Sequence, residues 1–149
     1  MNDAGGALRK AYFDALNNQV NNPENGLNKI PVVDEKLDLN LTEHDLFILI
    51  GGQGGVVNNV KHLWAKELEI NLTVVNRRKS TNSKTLIESI SDQILTILFP
   101  TKTTNGLYIE APFRLTYARL TGEQYNFERT TDGWDISKVL TFRNYITQS

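Results

Sequence analysis

The chain has 149 residues, of which 40% are hydrophobic and 22% are charged, and its formal net charge is −1. This length and composition predict one folded domain and argue against disordered, collagen-like and coiled-coil proteins, while the near-neutral charge gives no general attraction to nucleic acid or anionic lipid. Cysteine is absent, which excludes disulfide scaffolds, thiol nucleophiles, zinc ribbons and iron–sulfur clusters.

The first predicted element is an amphipathic helix over residues 7–20. Its polar side carries Lys10, Asp14 and Asn17, while apolar side chains recur at helical spacing on the other side. The apolar side consists of Leu8, Ala11, Tyr12, Ala15 and Leu16. The segment at 21–26, NNPENG, ends this helix because Pro, Gly and Asn favour turns.

Three strands are predicted between this helix and the next one, at residues 29–33, 46–50 and 64–74. The run at 46–50 is wholly apolar and of strand length, which is typical of a buried central strand. The third strand alternates between apolar and polar residues, as a half-buried strand does. Its apolar positions are Trp64, Leu68, Ile70, Leu72 and Val74.

A second amphipathic helix is predicted over residues 86–98, and Pro100 follows its end. The remaining third of the chain is rich in strand patterns, at residues 107–117, 125–127 and 134–146. Gly122 and the Asp132-Gly133 pair are predicted turns between these strands.

The order of predicted elements is therefore αβββαβββ, within a single domain spanning residues 1–149. Strands on either side of a helix, followed by a run of further strands, indicate the α+β class. We expect an antiparallel or mixed β-sheet with both helices packed on one face.

A glycine-rich run follows the apolar strand and consists of Gly51, Gly52, Gln53, Gly54 and Gly55. Glycine-rich turns after a strand can hold phosphates with backbone N–H groups. The run lacks the GK[ST] ending of a P-loop, and valine replaces the last glycine of a GxGxxG pattern. We therefore predict a flexible or partner-ordered loop over residues 51–59.

The sequence offers few groups for catalysis or for metal binding. His44 and His62 are the only histidines, and neither has a second ligand at metal-site spacing. A carboxylate cluster between two predicted strands could form a glycosidase pair or a cation site, but a solvated loop is favoured because EF-hand spacing is absent. This cluster comprises Asp34, Glu35, Asp38, Glu43 and Asp45.

The densest basic run is Arg77, Arg78 and Lys79, which lies between a predicted strand and a helix. Such a run can contact phosphates or a neighbouring acidic surface, or it can be a solvated loop. The predicted strands also carry aromatic residues that could stack on single-stranded nucleic acid, although core packing and protein contacts are favoured. These are Tyr108, Tyr117, Tyr125, Trp134, Phe142 and Tyr145.

The order and character of the elements resemble the phage tail terminator and tail-completion family, whose members join heads to tails. The resemblance covers residues 7–120 and rests on the segments LRKAYFDAL, IPVV, FILIGG, WAKELEINLTVV and KTLIESISDQILTIL. Residues 121–149 then form a β-rich C-terminal extension that departs from the family pattern. Two ring sizes are therefore possible, a ring of six subunits or a neck ring of twelve.

This resemblance implies a structural virion protein without catalytic activity or cofactor. It also implies a homo-oligomeric ring around the DNA channel, in contact with phage DNA, with a portal or adaptor ring and with tail proteins. We expect assembly in the bacterial host cytoplasm, because neither a signal peptide nor a membrane span is visible in the sequence.

Ring subunits bind their neighbours through loops and edges, so the predicted subunit or DNA contacts are the glycine-rich run and the basic run. Two alternatives remain open from the residues alone. One is a small nucleic-acid-binding module that uses Arg77, Arg78 and Lys79. The other is an enzyme with a site in the acidic loop beside His44.

Overall fold

A computed structural model describes residues 4–34, 45–57, 64–77, 83–101, 104–130 and 133–148. The two helices are α1 (Ala4–Leu16) and α2 (Ser83–Leu98). The strands are β1 (Asn21–Asn22), β2 (Asn25–Lys29), β3 (Val32–Asp34), β4 (Leu46–Val57), β5 (Trp64–Asn76), β6 (Phe113–Thr130) and β7 (Gly133–Gln148).

The main sheet has five strands in the order β3-β4-β5-β7-β6, and β1 and β2 form a separate small hairpin. Among the described strand pairs of this sheet, β3–β4 is parallel, while β4–β5, β5–β7 and β6–β7 are antiparallel. The predicted α+β class is therefore confirmed, and of the two predicted alternatives, an antiparallel or a mixed sheet, the sheet is mixed.

Both helices cover the same face of this sheet, as predicted. Alternate residues of β5 and β7 are buried on that face together with the apolar side of each helix. The other face, called the open face below, carries the intervening residues of the same strands. Leu68, Ile70, Leu72 and Val74 of β5 are buried, which matches the predicted alternation, and Ala65 and Asn76 are buried as well.

Two buried polar contacts attach α1 to the sheet. The Arg9 guanidinium donates from Nε to both carboxylate oxygens of Asp34, at 3.1 and 3.2 Å, and from Nη2 to the carbonyl oxygen of Ile50, at 3.0 Å. The Tyr12 hydroxyl donates to Oδ1 of Asn144 at 2.6 Å. Both contacts are buried, and they set where α1 lies along β3, β4 and β7.

The predicted element order was wrong in two places. Among the described residues, five strands and not three separate the helices, because the Asn- and Gly-rich segment predicted as a turn forms the β1–β2 hairpin. In the described part of the chain after α2 there are two strands and not three, because β6 continues from Phe113 to Thr130 through the predicted turn at Gly122. Gly122 stands opposite Thr141 beside a register shift, so a bulge in β6 replaces the turn.

The predicted loop over residues 51–59 was also wrong where the structure describes it. Residues 51–57 continue β4 and pair with β5 as far as the Val57–Lys66 position. Glycine weakens a strand but does not prevent one, and here β5 supplies a long, regular partner for the backbone. Asn58 and Asn59 lie outside the described residues.

The C-terminal residues predicted as an extension include β7, which lies between β5 and β6 in the sheet. The β6–β7 pairing runs as far as Thr130 and Gly133, and the predicted turn residue Asp132 lies outside the described residues. The division into a core and an extension, and the single-domain assignment, stay predictions.

Candidate interaction surfaces

The predicted contact residues of the glycine-rich run lie along the outer part of β4. Gly51 stands opposite Asn71, and Gln53 stands opposite Ile70, so the register shifts by one residue at Gly52. One extra residue on one strand is a β-bulge, which bends the strand and increases its twist. Gly54 and Gly55 follow in regular pairing. The glycines therefore supply a bulged strand instead of a mobile loop.

The outer edge of β4 is covered for only part of its length. β3 pairs with the three positions from Ile48 to Ile50, and within the described residues no strand pairs with the outer side of residues 51–57. An unpaired strand edge is a template for pairing with another chain. Four of these seven residues are glycines, so another backbone can approach closely.

The sheet also ends in a second, much longer edge at β6. This strand pairs with β7 on one side only, and no described strand lies on its outer side. Along residues 114–130 it carries charged residues of both signs, namely Arg114, Arg119, Glu123, Glu128 and Arg129. The ring of Phe127 is 55% exposed near the far end of the strand.

The open face carries a cluster of aromatic and charged side chains on β5, β6 and β7. The rings of Tyr117 and Tyr145 stack with their centroids 5.5 Å apart, and the Arg119 guanidinium lies 5.2 Å from the Tyr117 centroid. Glu67 accepts a hydrogen bond from the Tyr117 hydroxyl at 3.2 Å and lies 3.6 Å from Nε of Arg143. Partial burial and then this carboxylate raise the pKa of Tyr117 above its ordinary value. Arginine and tyrosine are among the residue types that most often anchor protein interfaces.

The basic run is described only at its first residue. Arg77 directly follows β5, its backbone N–H donates to the carbonyl oxygen of Asp45 at 2.7 Å, and its guanidinium lies 5.3 Å from the centroid of the Phe47 ring. These contacts place it where β4 begins and β5 ends. Arg78 and Lys79 lie outside the described residues.

Solved structures contain a chain of matching fold. The fold is similar to that of a chain in the virion of the native gene transfer agent (GTA) particle. The TM-score is 0.69, and the match covers 99% of each chain at 14% sequence identity. At this identity the likeness is one of fold, and it extends over nearly the whole of both chains. No protein-family model and no curated protein matches the sequence.

The acidic cluster is divided by the structure. Asp34 was predicted to lie in a solvated loop, but it belongs to β3, is 6% exposed and is paired with Arg9. Asp45 is exposed at the start of β4. Glu35, Asp38, Glu43, His44 and His62 lie outside the described residues. Asp34 therefore has a structural role, because its charge is neutralised inside the protein.

Within the described ranges, no group of three or more His, Cys, Asp or Glu side chains could hold a metal ion. Neither described helix has the length and apolar character needed to cross a membrane.

Sequence reasoning missed the open-face cluster and the edge of β6. The spacing of Tyr117 and Arg119 signalled one strand face, but only the pairing of β6 with β7 and of β7 with β5 brings Tyr145 and Glu67 beside them. Because a turn was predicted at Gly122, the sequence indicated two short strands where the structure has the single long strand β6.

Proposed function

We propose that this chain is a structural virion protein that forms a closed ring in the head–tail connector of a phage-like particle, as a tail terminator or neck ring around the DNA channel. The observation that carries the proposal is the end-to-end fold likeness to a chain of a virion particle. It agrees with the resemblance of the sequence segments to tail terminators, which rests on different information.

The geometry of the sheet supports a ring. A closed ring needs heterologous contacts, in which one surface of each subunit meets a different surface of the next. The sheet has two unlike open edges, a long charged one at β6 and a short glycine-rich one at β4. Two different surfaces on opposite sides of one subunit can repeat around an axis until the ring closes.

Such a ring consists of six or twelve copies of this chain. Its partners are a portal or adaptor ring, tail proteins and the DNA that passes through the channel. The chain acts by assembly and not by catalysis in this proposal. Its place is in the virion.

Native mass spectrometry of the purified chain over a range of concentrations, together with electron microscopy of the same sample, tests the ring. We expect one closed species of six or twelve subunits, with rotational symmetry in the images. A chain that stays monomeric, alone and in the presence of portal and tail proteins from its own particle, contradicts the proposal. An open, unlimited polymer contradicts it as well.

A further inference from the structure

The two open edges of the sheet differ in length, chemistry and strand direction. Along residues 114–130 of β6, about eight residues point their backbone N–H and C=O groups outward, since these groups alternate along an antiparallel edge. Along residues 51–57 of β4, a further short row of backbone groups faces outward beyond the end of β3. Both rows are unpaired with respect to every described strand.

One of the devices that prevent strand addition is missing from both edges, although β6 carries charged residues and both edges contain a bulge. Proline is absent from both edge segments, and proline is the residue that most directly blocks backbone pairing. The β4 segment, GGQGGVV, has no charged residue, so it places no like charge opposite the arginines and glutamates of β6.

The two edges also complement each other in side-chain volume. The β4 segment is mostly glycine, and an aromatic residue on a neighbouring strand can cover an edge glycine and stabilise the pair. β6 provides aromatic residues on both sides of its pleat, namely Tyr117, Tyr125 and Phe127.

Strand directions fit a rotational assembly. β4 is antiparallel to β5, β5 to β7, and β7 to β6, so β4 and β6 run in opposite directions within one subunit. Rotation about a ring axis that lies roughly along the strands preserves the direction of each strand. The β6 edge of one copy therefore meets the β4 edge of the next copy in the antiparallel sense, which gives the stronger ladder.

We infer that β6 of each copy pairs as an antiparallel strand with residues 51–57 of β4 in the next copy, so that the sheets join around the ring. This inference rests on the proposed ring and specifies its subunit contact. It also explains the four glycines of residues 51–57, because glycine lets the backbone of the neighbouring copy approach β4 closely.

Disulfide trapping tests the contact, because the natural chain has no cysteine. Val56→Cys lies in the β4 segment and stands opposite Glu67, a residue of the open face. It is combined with one cysteine at a time at exposed open-face positions along β6. These positions are Arg114, Arg119, Gln124, Asn126 and Glu128.

After mild oxidation of the assembled protein, at least one double variant should give a ladder of cross-linked species on a non-reducing gel, up to the full ring. Each single-cysteine variant is the matched control and should run as a monomer. Cross-linked dimers from a β6 single variant would mean that two β6 edges meet, which overturns the inference.

The oligomeric state separates this inference from the proposed function. A closed ring in which no double variant cross-links overturns the edge pairing and leaves the ring standing. A chain that stays monomeric contradicts the ring and the edge pairing together.

Hydrogen exchange provides a second measurement that needs no substitution. On assembly, the amides of residues 51–57 that face outward, and alternate amides of residues 114–130, should exchange at least about tenfold more slowly. Unchanged exchange at both edges in a closed ring overturns the inference.

Discussion

At the scale of single residues, the polar contacts that matter most lie in the interior. Arg9 and Asp34 are 4% and 6% exposed, and together they connect α1, β3 and β4. By contrast, Lys10 and Glu110 form an ion pair in which both side chains are more than half exposed. Burial decides the difference, because water screens the exposed pair but cannot solvate a partner left alone in the interior.

Asp34→Ala should lower the free energy of unfolding by about 3 to 5 kcal/mol, since it leaves the Arg9 charge buried without its carboxylate. Urea unfolding followed by circular dichroism measures the change. Glu110→Ala, which removes the exposed pair with Lys10, is the control and should have little effect. Equal losses in the two variants would contradict a structural role for the buried pair.

Gly106 is required by close approach to α2. Its N–H donates to the carbonyl oxygen of Leu98 at 2.7 Å, and a Cβ at this position would lie 2.3 Å from the carbonyl oxygen of Ile97. Gly106→Ala should therefore destabilise the fold by about 1 to 3 kcal/mol, because backbone has to move. Gly26→Ala is the matched control, since its Cβ would have no neighbour within 4 Å. Thermal unfolding measures the melting temperatures of both variants. Equal melting temperatures for Gly106→Ala and Gly26→Ala would refute a steric clash between position 106 and α2.

At the scale of elements, Lys138 of β7 joins α2 to the sheet. Its ammonium lies 3.1 Å from Oε1 of Glu88 on α2 and 3.3 Å from Oε1 of Glu123 on β6. It also donates to Oγ of Ser91 at 3.2 Å and lies 5.3 Å from the centroid of the Tyr125 ring. A single buried cation thereby holds one helix and two strands in register.

We predict that the protein loses stability at alkaline pH, because the pKa values of two buried groups, Lys138 and Tyr12, are raised in the folded state. Burial lowers the pKa of Lys138, but the two carboxylates outweigh it, so the pKa lies above its ordinary value of 10.5. Burial raises the pKa of Tyr12 above its ordinary value of 10.0, against the opposing effect of its hydrogen bond to Asn144. A raised folded-state pKa gives stability that is complete below the unfolded-state pKa and is lost as pH rises above it.

The melting temperature should therefore fall as pH rises above about 10, and Lys138→Met should reduce the steepness of that fall. Melting curves recorded from about pH 8 to pH 11 measure it. Tyr12→Phe should also flatten the curve, whereas Tyr108→Phe, at a tyrosine that is 80% exposed, is the control and should not. Curves of equal steepness in all variants would contradict this origin of the pH dependence.

At the scale of the whole molecule, one sheet face is covered by helices and the other carries the Tyr117, Tyr145 and Arg119 cluster, while two sheet edges lack a described partner. Faces and edges of this kind are where one subunit can meet another or meet DNA. Arg77, the one residue of the basic run that the structure describes, follows the end of β5 beside the first residues of β4, at the end of β4 opposite to residues 51–57.

Reversing Arg77, Arg78 and Lys79 to Glu should block assembly or DNA retention while the fold persists, because the sequence predicts a polar surface loop here, where a substitution changes stability by only about half a kcal/mol. Arg77→Glu alone should cost somewhat more stability, about 0.5 to 2 kcal/mol, since its guanidinium faces the Phe47 ring. We expect a subunit contact in preference to a phosphate contact.

Ring formation and particle DNA content, measured at low and high salt, distinguish the two roles, since phosphate contacts weaken more steeply with ionic strength. An Arg78→Gln and Lys79→Gln double variant is the milder control. Normal rings with full DNA content in the folded triple variant would show that the run is only a solvated connector.

The sequence by itself determined the α+β class, both helices, the burial of the apolar first part of β4 and the buried face of β5. It did so because apolar periodicity is a local property, and one face of each of these elements must be withdrawn from water. The tertiary structure alone decided which strands are neighbours, and with them the Arg9–Asp34 pair, the open-face cluster and the edge positions of β4 and β6. Glycine illustrates the limit: the run after Ile50 permits either a loop or a strand, and pairing with β5, the next strand in the chain, selects the strand.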